Sequence, residues 1–156
     1  GAGGSARAVV DALAEAGARV TVANRTVARA EPLRALGASS VVALDPEALG
    51  EAVAAADLVV NTTTLGMAPM LDASPPVPLE ALPVGAMVCD LIYNPARTRL
   101  LEAASARGCR VQNGLEMLVR QGALSFARWT GVEAPIEVMR EAVRAEIGRK
   151  KGASEQ

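Results

Sequence analysis

The first six residues, Gly1-Ala-Gly3-Gly4-Ser5-Ala6, fit the GxGxxG/A pattern of a dinucleotide-binding loop. In that pattern the first glycine allows a tight turn, the second lets a pyrophosphate approach the backbone, and a small final residue packs a helix closely on a sheet. The N–H groups at the start of that helix then face the pyrophosphate. Glycine-rich turns are common, so this loop alone leaves an ordinary turn and a phosphate site equally open.

A second set of candidate residues lies at Asn24-Arg25-Thr26, where a short β-rich run ends. In NAD-binding versions of the fold, an acidic residue about 20 positions after the loop binds the ribose 2′-hydroxyl. In this sequence Arg25 stands near the place of that acidic residue, and a guanidinium can bind a 2′-phosphate through two hydrogen bonds. Arg29 follows Arg25 at helical spacing, and Thr26 is placed to cap the helix. The pattern favours NADP over NAD, although surface arginines are usually only solvated charges.

The elements that position these residues alternate between strand and helix along the chain. Short β-rich or apolar runs predict strands, whereas apolar residues at helical spacing, ended by glycine or begun at proline, predict helices. The predicted strands cover 19–23, 41–43, 57–61, 86–91 and 109–112, and the predicted helices cover 6–16, 27–36, 46–55, 98–107, 114–129 and 136–147. A proline-rich loop joins the third and fourth strands. This order predicts an α/β fold, a Rossmann-like doubly wound parallel sheet with helices on both faces.

One strand of that fold is not accounted for. A dinucleotide loop normally follows the first, central strand, and no residue precedes Gly1 in this sequence. We therefore expect the first strand and a substrate domain to belong to a longer chain. Residues 1–149 are predicted to form the NADP-binding domain, including the C-terminal helices from about 114, and residues 150–156 a disordered tail.

Composition limits the remaining possibilities. Hydrophobic residues make up 51% of the chain and aromatic residues only 2%, which predicts a core of Ala, Val and Leu. The net charge of -1 excludes a broad basic field for nucleic acid. With no His and no CxxC spacing, the chain has no metal-cluster pattern. Two cysteines in apolar contexts and no membrane-length apolar run predict a cytoplasmic protein with reduced thiols.

Three later segments add specific motifs: Asn61-Thr-Thr-Thr-Leu-Gly-Met67, Asp90-Leu-Ile-Tyr-Asn-Pro95 and Asn113-Gly-Leu-Glu-Met-Leu-Val-Arg-Gln121. Together with the glycine loop and Asn24–Ala30, they resemble shikimate dehydrogenase, in the right order and over essentially the whole chain. Tyr93, the chain's one tyrosine, follows a predicted strand at the edge where open α/β sheets bind ligands.

The resemblance implies NADPH-dependent reduction of 3-dehydroshikimate to shikimate, with these small molecules as the partners and no role for a metal. It implies that Tyr93 and Gln121 bind the substrate; without it, Gln121 would be an ordinary surface residue. Cofactor contacts are implied for Gly1, Ala2, Gly3, Gly4, Ser5, Ala6, Asn24, Arg25, Thr26, Arg29, Thr62, Thr63, Leu91 and Gly114. Alternatively, Gly114 only allows a helix to begin, and Asn61 only ends its strand.

The chain departs from the family in one respect. The family's catalytic lysine and aspartate lie upstream of the glycine loop, and the only lysines here are Lys150 and Lys151. No residue is therefore an obvious general acid, and the chain alone is expected not to catalyse efficiently. A quinate/shikimate-type paralogue and a non-catalytic NADPH-sensing module remain open. Glutamyl-tRNA reductase shares an Asn-Arg-Thr segment, but the segment ending at Gln121 argues against it.

Overall fold

The computed structural model describes residues 1–154, in which parallel strands alternate with helices. The strands are Val20–Asn24 (β1), Ala38–Ala43 (β2), Leu58–Asn61 (β3), Met87–Asp90 (β4) and Arg110–Gln112 (β5). The α-helices are Gly4–Glu15 (α1), Val27–Ala30 (α2), Pro46–Ala54 (α3), Arg99–Ala106 (α4), Leu115–Thr130 (α5) and Ile136–Ser154 (α6). Short 3-10 helices cover Glu31–Leu36 and Leu79–Ala81. The predicted α/β fold, with parallel strands and helices on both faces, is confirmed.

The five strands form two separate parallel sheets. One contains β1 and β2, and the other has the order β3-β4-β5. The edges of β1 and β3 line a groove of about 900 Å³, together with side chains such as Val10 and Val53. We interpret this groove as a gap between two strand edges, because residues of β1 and β3 and apolar residues of the core make up much of its lining.

The core is aliphatic, as the composition predicts. One cluster of buried side chains packs α1 and the segment after β1 against the first sheet: Ala6, Val10, Val22, Ala30, Leu33 and Ala38. The other packs α3 and α4 against the second sheet: Leu49, Val53, Leu82, Ala86, Val88, Leu100, Leu101, Ala104 and Cys109. Burying each leucine contributes roughly 1.5–3 kcal/mol. Both clusters pack helices against the faces of the sheets. Polar residues can therefore stand at the carboxyl ends of the strands.

Two segments depart from the predicted elements. The predicted helix over 27–36 is α2 followed by a 3-10 helix, because Pro32 has no N–H to continue the α-helical bonding. The predicted disordered tail is corrected over residues 150–154, where α6 continues to Ser154. Lys150, Lys151 and Ala153 favour a helix, and the single glycine between them does not end it. Residues 155–156 of that predicted tail lie outside the described residues. Within 1–154, no helix is long and apolar enough to cross a membrane.

Candidate functional site

The glycine loop joins the ends of β1 and β3 to the start of α1. The backbone nitrogen of Gly1 donates to the Ala23 carbonyl at 2.6 Å. A Cβ on Gly1 would lie only 2.5 Å from the Thr62 Oγ1 atom, so the close approach of these segments requires glycine. The opposite side is open, since a Cβ added to Gly3 or Gly4 would meet nothing within 4 Å. The loop therefore has a packed side and a side that a ligand can approach.

The start of α1 has the features of an anion site. Its N-cap residue is Gly3, no side chain caps the helix, and its first turn holds no acidic residue. Ala6 is buried in the first core cluster, which brings the helix close to the sheet as the motif predicts. The uncapped N–H groups and the helix dipole together favour a phosphate at this end.

The end of β1 presents two arginines to solvent. The Asn24 side chain donates to the Thr26 carbonyl at 2.8 Å and so shapes the turn that carries Arg25. Arg25 and Arg29 are both exposed, and neither is paired with a carboxylate in the described chain. Thr26 occupies the N-cap position of α2 as predicted, but its side chain makes no capping hydrogen bond. Both guanidinium groups and the threonine hydroxyl are thus available to a ligand.

A buried polar network joins the ends of β3 and β4. The Asn61 amide donates to the Asp90 Oδ1 atom at 3.0 Å, and the Thr98 hydroxyl donates to Asp90 Oδ2 at 2.7 Å. The Asn61 Oδ1 atom accepts from the backbone N–H of Thr63 at 2.9 Å and from its hydroxyl at 2.7 Å. The network therefore holds the loop that carries Thr62 and Thr63 against β4 and α4.

The start of α5 lies against the loop that follows β4. The Gly114 N–H donates to the Ile92 carbonyl at 3.0 Å. A Cβ on Gly114 would lie 1.9 Å from the Leu91 carbonyl oxygen, so the structure brings these two predicted cofactor contacts together. Tyr93 follows in the same loop and is 37% exposed. Gln121 is exposed on α5, the helix that Gly114 begins, so it and Tyr93 lie on separate elements.

A charged contact anchors α6 to the first turns of α5. Arg140 donates to both Glu116 carboxylate oxygens, at 2.6 and 3.0 Å, and also to Glu137. These hydrogen bonds from Arg140 lower the pKa of the Glu116 carboxyl below its ordinary value and raise the pKa of the guanidinium. The contact fixes the helix pair close to Gly114, where α5 meets the rest of the site.

Sequence reasoning did not assign roles to Asp90, Thr98 or Asn113. The Asn113 side chain donates to the Ala96 carbonyl at 3.0 Å and accepts from the Leu115 N–H at 3.2 Å, which positions the start of α5. A signal for Asp90 was present, because a carboxylate ends an otherwise apolar strand and Asn61 ends the neighbouring one. The burial of Asn61, Asp90 and Thr98, and the hydrogen bonds between them, come only from the structure.

Comparisons with known proteins identify the family. Residues 1–74 match the profile described as shikimate/quinate 5-dehydrogenase, and residues 114–144 match the shikimate 5′-dehydrogenase C-terminal domain. A shikimate dehydrogenase (NADP+) of Moorella thermoacetica is 47% identical over 159 residues. That alignment covers 97% of this chain and 54% of the relative. The chain belongs to the shikimate dehydrogenase family. The resemblance in the motifs is thereby confirmed, whereas the roles of single residues stay predictions.

Solved structures of the shikimate dehydrogenase family have the same fold. The Thermus thermophilus shikimate 5-dehydrogenase, in complex with NADP(H) and shikimate, is 43% identical with a TM-score of 0.80. The comparison covers 93% of this chain and 52% of that one. A quinate dehydrogenase of Corynebacterium glutamicum, in complex with NAD, is 34% identical with a TM-score of 0.79, over 93% and 54% of the two chains. The chain spans about half the length of the relatives it matches.

Proposed function

We propose that this chain is the NADP-binding half of an NADP-dependent shikimate dehydrogenase, which reduces 3-dehydroshikimate to shikimate. One observation carries the proposal: the open glycine loop, two unpaired arginines and the Leu91–Gly114 contact all lie at or next to the carboxyl ends of parallel strands. Ligands of open α/β sheets bind along that edge. The names of the relatives supply the cofactor and substrate. We assign residues 1–149 to this cofactor domain and place the protein in the cytoplasm.

The residues present fit the phosphates of NADP. The N–H groups at the start of α1, beside the open face of Gly3 and Gly4, would hold the pyrophosphate. Arg25 and Arg29 bind the 2′-phosphate, for which guanidinium groups are suited in charge and geometry. No acidic side chain stands at the end of β1 to repel that phosphate or to bind the 2′-hydroxyl of NAD.

The other end of the cofactor lies where the loops after β3 and β4 meet α5. Thr62, Thr63, Leu91 and Gly114 line this end, and Tyr93 and Gln121 orient the substrate. At this end of the site a bound nicotinamide would supply hydride transfer to or from the carbonyl carbon of the substrate. The close Leu91–Gly114 packing leaves no room for a side chain between these two segments. We assign proton transfer to the lysine and aspartate that the family carries outside the part matched here.

Turnover tests this proposal. In the full-length protein, we expect shikimate plus NADP+ to raise absorbance at about 340 nm, with much weaker rates for quinate or NAD+. Tight NADPH binding without turnover of shikimate would contradict the dehydrogenase assignment and favour an NADPH-sensing module. Faster turnover of quinate than of shikimate would favour the second candidate, a quinate dehydrogenase, which the family description and the Corynebacterium glutamicum structure keep open.

Cofactor choice has its own test. Replacing Arg25 with Ala removes a charge-assisted contact worth roughly 1.5–3 kcal/mol, so the Kd for NADP+ should rise about 10- to 100-fold. The Kd for NAD+ should not change, because NAD+ lacks the 2′-phosphate. Arg128→Ala, at another exposed arginine near the end of a helix, is the matched control. Equal weakening of both cofactors by Arg25→Ala, measured by calorimetric titration, would contradict the 2′-phosphate assignment.

A further inference from the structure

Asp90 is a buried carboxylate with three hydrogen-bond donors and no cation beside it. Its exposed fraction is 1%, and among the described residues no salt bridge includes it. Oδ1 accepts from the Asn61 amide and from the Ile92 N–H, each at 3.0 Å, and Oδ2 accepts from the Thr98 hydroxyl at 2.7 Å. Burying an acid is costly unless its hydrogen bonds are satisfied. All three donors are needed to hold it here.

Each donor belongs to a different segment of the candidate site. Asn61 ends β3 and holds Thr63 through two hydrogen bonds. Ile92 belongs to the loop after β4, beside Tyr93, and its carbonyl accepts from the N–H at the start of α5. Thr98 caps α4, accepting from the Leu101 N–H at 3.4 Å. One carboxylate therefore sets the relative positions of two site loops and the helix behind them.

The register of β3 and β4 brings Asn61 and Asp90 side by side. Asn61 and Asp90 are opposed residues at the ends of β3 and β4. Both backbones are held by the parallel ladder, so a change in either side chain moves the loops beyond the strands more than the strands themselves. Asp90 is too buried to touch a ligand. Any influence on the reaction must pass through Asn61, Thr63 and the Tyr93 loop.

We propose that Asp90 is a positioning residue: through Asn61 it holds the Thr63 loop and the Tyr93 loop at the spacing that aligns substrate and nicotinamide. This inference rests on the proposed function and adds to it a residue that determines geometry rather than affinity. In the proposed site the phosphates of NADP bind at the open side of Gly3 and Gly4 and at Arg25, none of which is hydrogen-bonded to this network. Disturbing the network should therefore lower kcat and leave cofactor affinity nearly unchanged.

The test changes the pair in two steps in the full-length protein, first to two carboxylates and then to the exchanged carboxylate–amide pair. Asn61→Asp places two carboxylates about 3 Å apart and removes the donor to Asp90. A displacement of about 1 Å at a reacting group costs on the order of a hundredfold, so kcat with shikimate should fall by that factor. The Kd for NADP+ should change less than about threefold, since the phosphate contacts that dominate affinity remain. Adding Asp90→Asn to this variant removes the repulsion and restores one amide–carboxylate hydrogen bond, although the Ile92 N–H then loses its acceptor, so kcat should recover in part, by about tenfold.

Two controls separate positioning from simple stability. Asp45 caps α3 by accepting from the Ala48 N–H at 2.9 Å, so Asp45→Ala, which removes the acceptor, should lower Tm without lowering kcat. Fluorescence of bound NADPH reports the surroundings of the nicotinamide without turnover, and Asn61→Asp should change it while Asp45→Ala does not. A wild-type protein that binds NADPH but does not oxidise shikimate would refute the proposed function, and the fluorescence comparison would still decide the role of Asp90. Unchanged kcat and fluorescence in Asn61→Asp, or a double variant that recovers Tm but neither signal, would overturn the inference.

Discussion

Replacing Gly114 with Ala tests how closely α5 must approach the loop after β4. The Gly114 backbone has φ near -76°, which alanine adopts without strain, so only the new methyl group matters. That Cβ would lie 1.9 Å from the Leu91 carbonyl oxygen and 2.4 Å from its carbonyl carbon. The oxygen contact must lengthen to at least 3.0 Å, a shift of about 1.1 Å. Both partners are backbone, so a side chain cannot rotate away to make room.

The expected cost follows from that displacement. Overpacking of this kind destabilises a fold by roughly 1–3 kcal/mol, and separation of the two segments weakens the Gly114–Ile92 hydrogen bond. Because the same segments line the proposed nicotinamide end, kcat with shikimate should fall on the order of a hundredfold. The Kd for NADP+ should rise less, since the phosphate contacts at the glycine loop are unaffected.

The assay compares Gly114→Ala with Gly50→Ala in the full-length protein, using urea unfolding, NADP+ titration and turnover at about 340 nm. Gly50 lies within α3, and a Cβ there meets nothing within 4 Å, so alanine should raise stability by up to about 1 kcal/mol. Wild-type stability and turnover in Gly114→Ala would refute the close-approach argument. Equal losses in the two variants would show that glycine replacement in general, and not this contact, is responsible.

Three further predictions concern the body of the fold. Leu100→Ala in the second core cluster should lower the free energy of unfolding by roughly 2–5 kcal/mol, whereas Leu124→Ala on the exposed face of α5 should change it by less than about 0.5 kcal/mol. Ala6→Leu should cost roughly 1–3 kcal/mol and weaken NADP+ binding, because a larger side chain pushes α1 off the sheet. Since Arg140 lowers the pKa of Glu116, their contact stabilises the fold above the ordinary glutamate pKa of about 4.3, and that contribution disappears as pH falls through the lower folded value. The Tm difference between wild type and Arg140→Gln should therefore shrink in acid, and a difference independent of pH would contradict this reasoning.

Much of the fold could be predicted because local patterns carry its signals. Glycines in the left-handed region at Gly17 and Gly37 end their helical segments where the sequence analysis expected stops. The 3-10 helix after α2 was not predicted, since one proline interrupts an otherwise helical pattern. The split into two sheets depends on which strand edges meet, and that is a property of the assembled chain rather than of any segment.

The residues of the candidate site also fall into those with a local sequence signal and those brought together only by the fold. The glycine loop and the arginines at the end of β1 could be found from spacing, because each lies within a few residues of its motif. The Asn61–Asp90 pair could not, because its members are 29 residues apart and meet only through the register of β3 and β4. The contact between Leu91 and Gly114 is likewise a matter of packing, which composition and periodicity do not encode.

The most direct test of the account is a crystal structure of the full-length protein with NADP+, read at the 2′-phosphate. We predict hydrogen bonds of about 2.7–3.0 Å from the guanidinium groups of Arg25 and Arg29 to that phosphate, with the nicotinamide beside Leu91 and Gly114. A 2′-phosphate held by other residues, or a nicotinamide bound away from the ends of β3 and β4, would contradict the account.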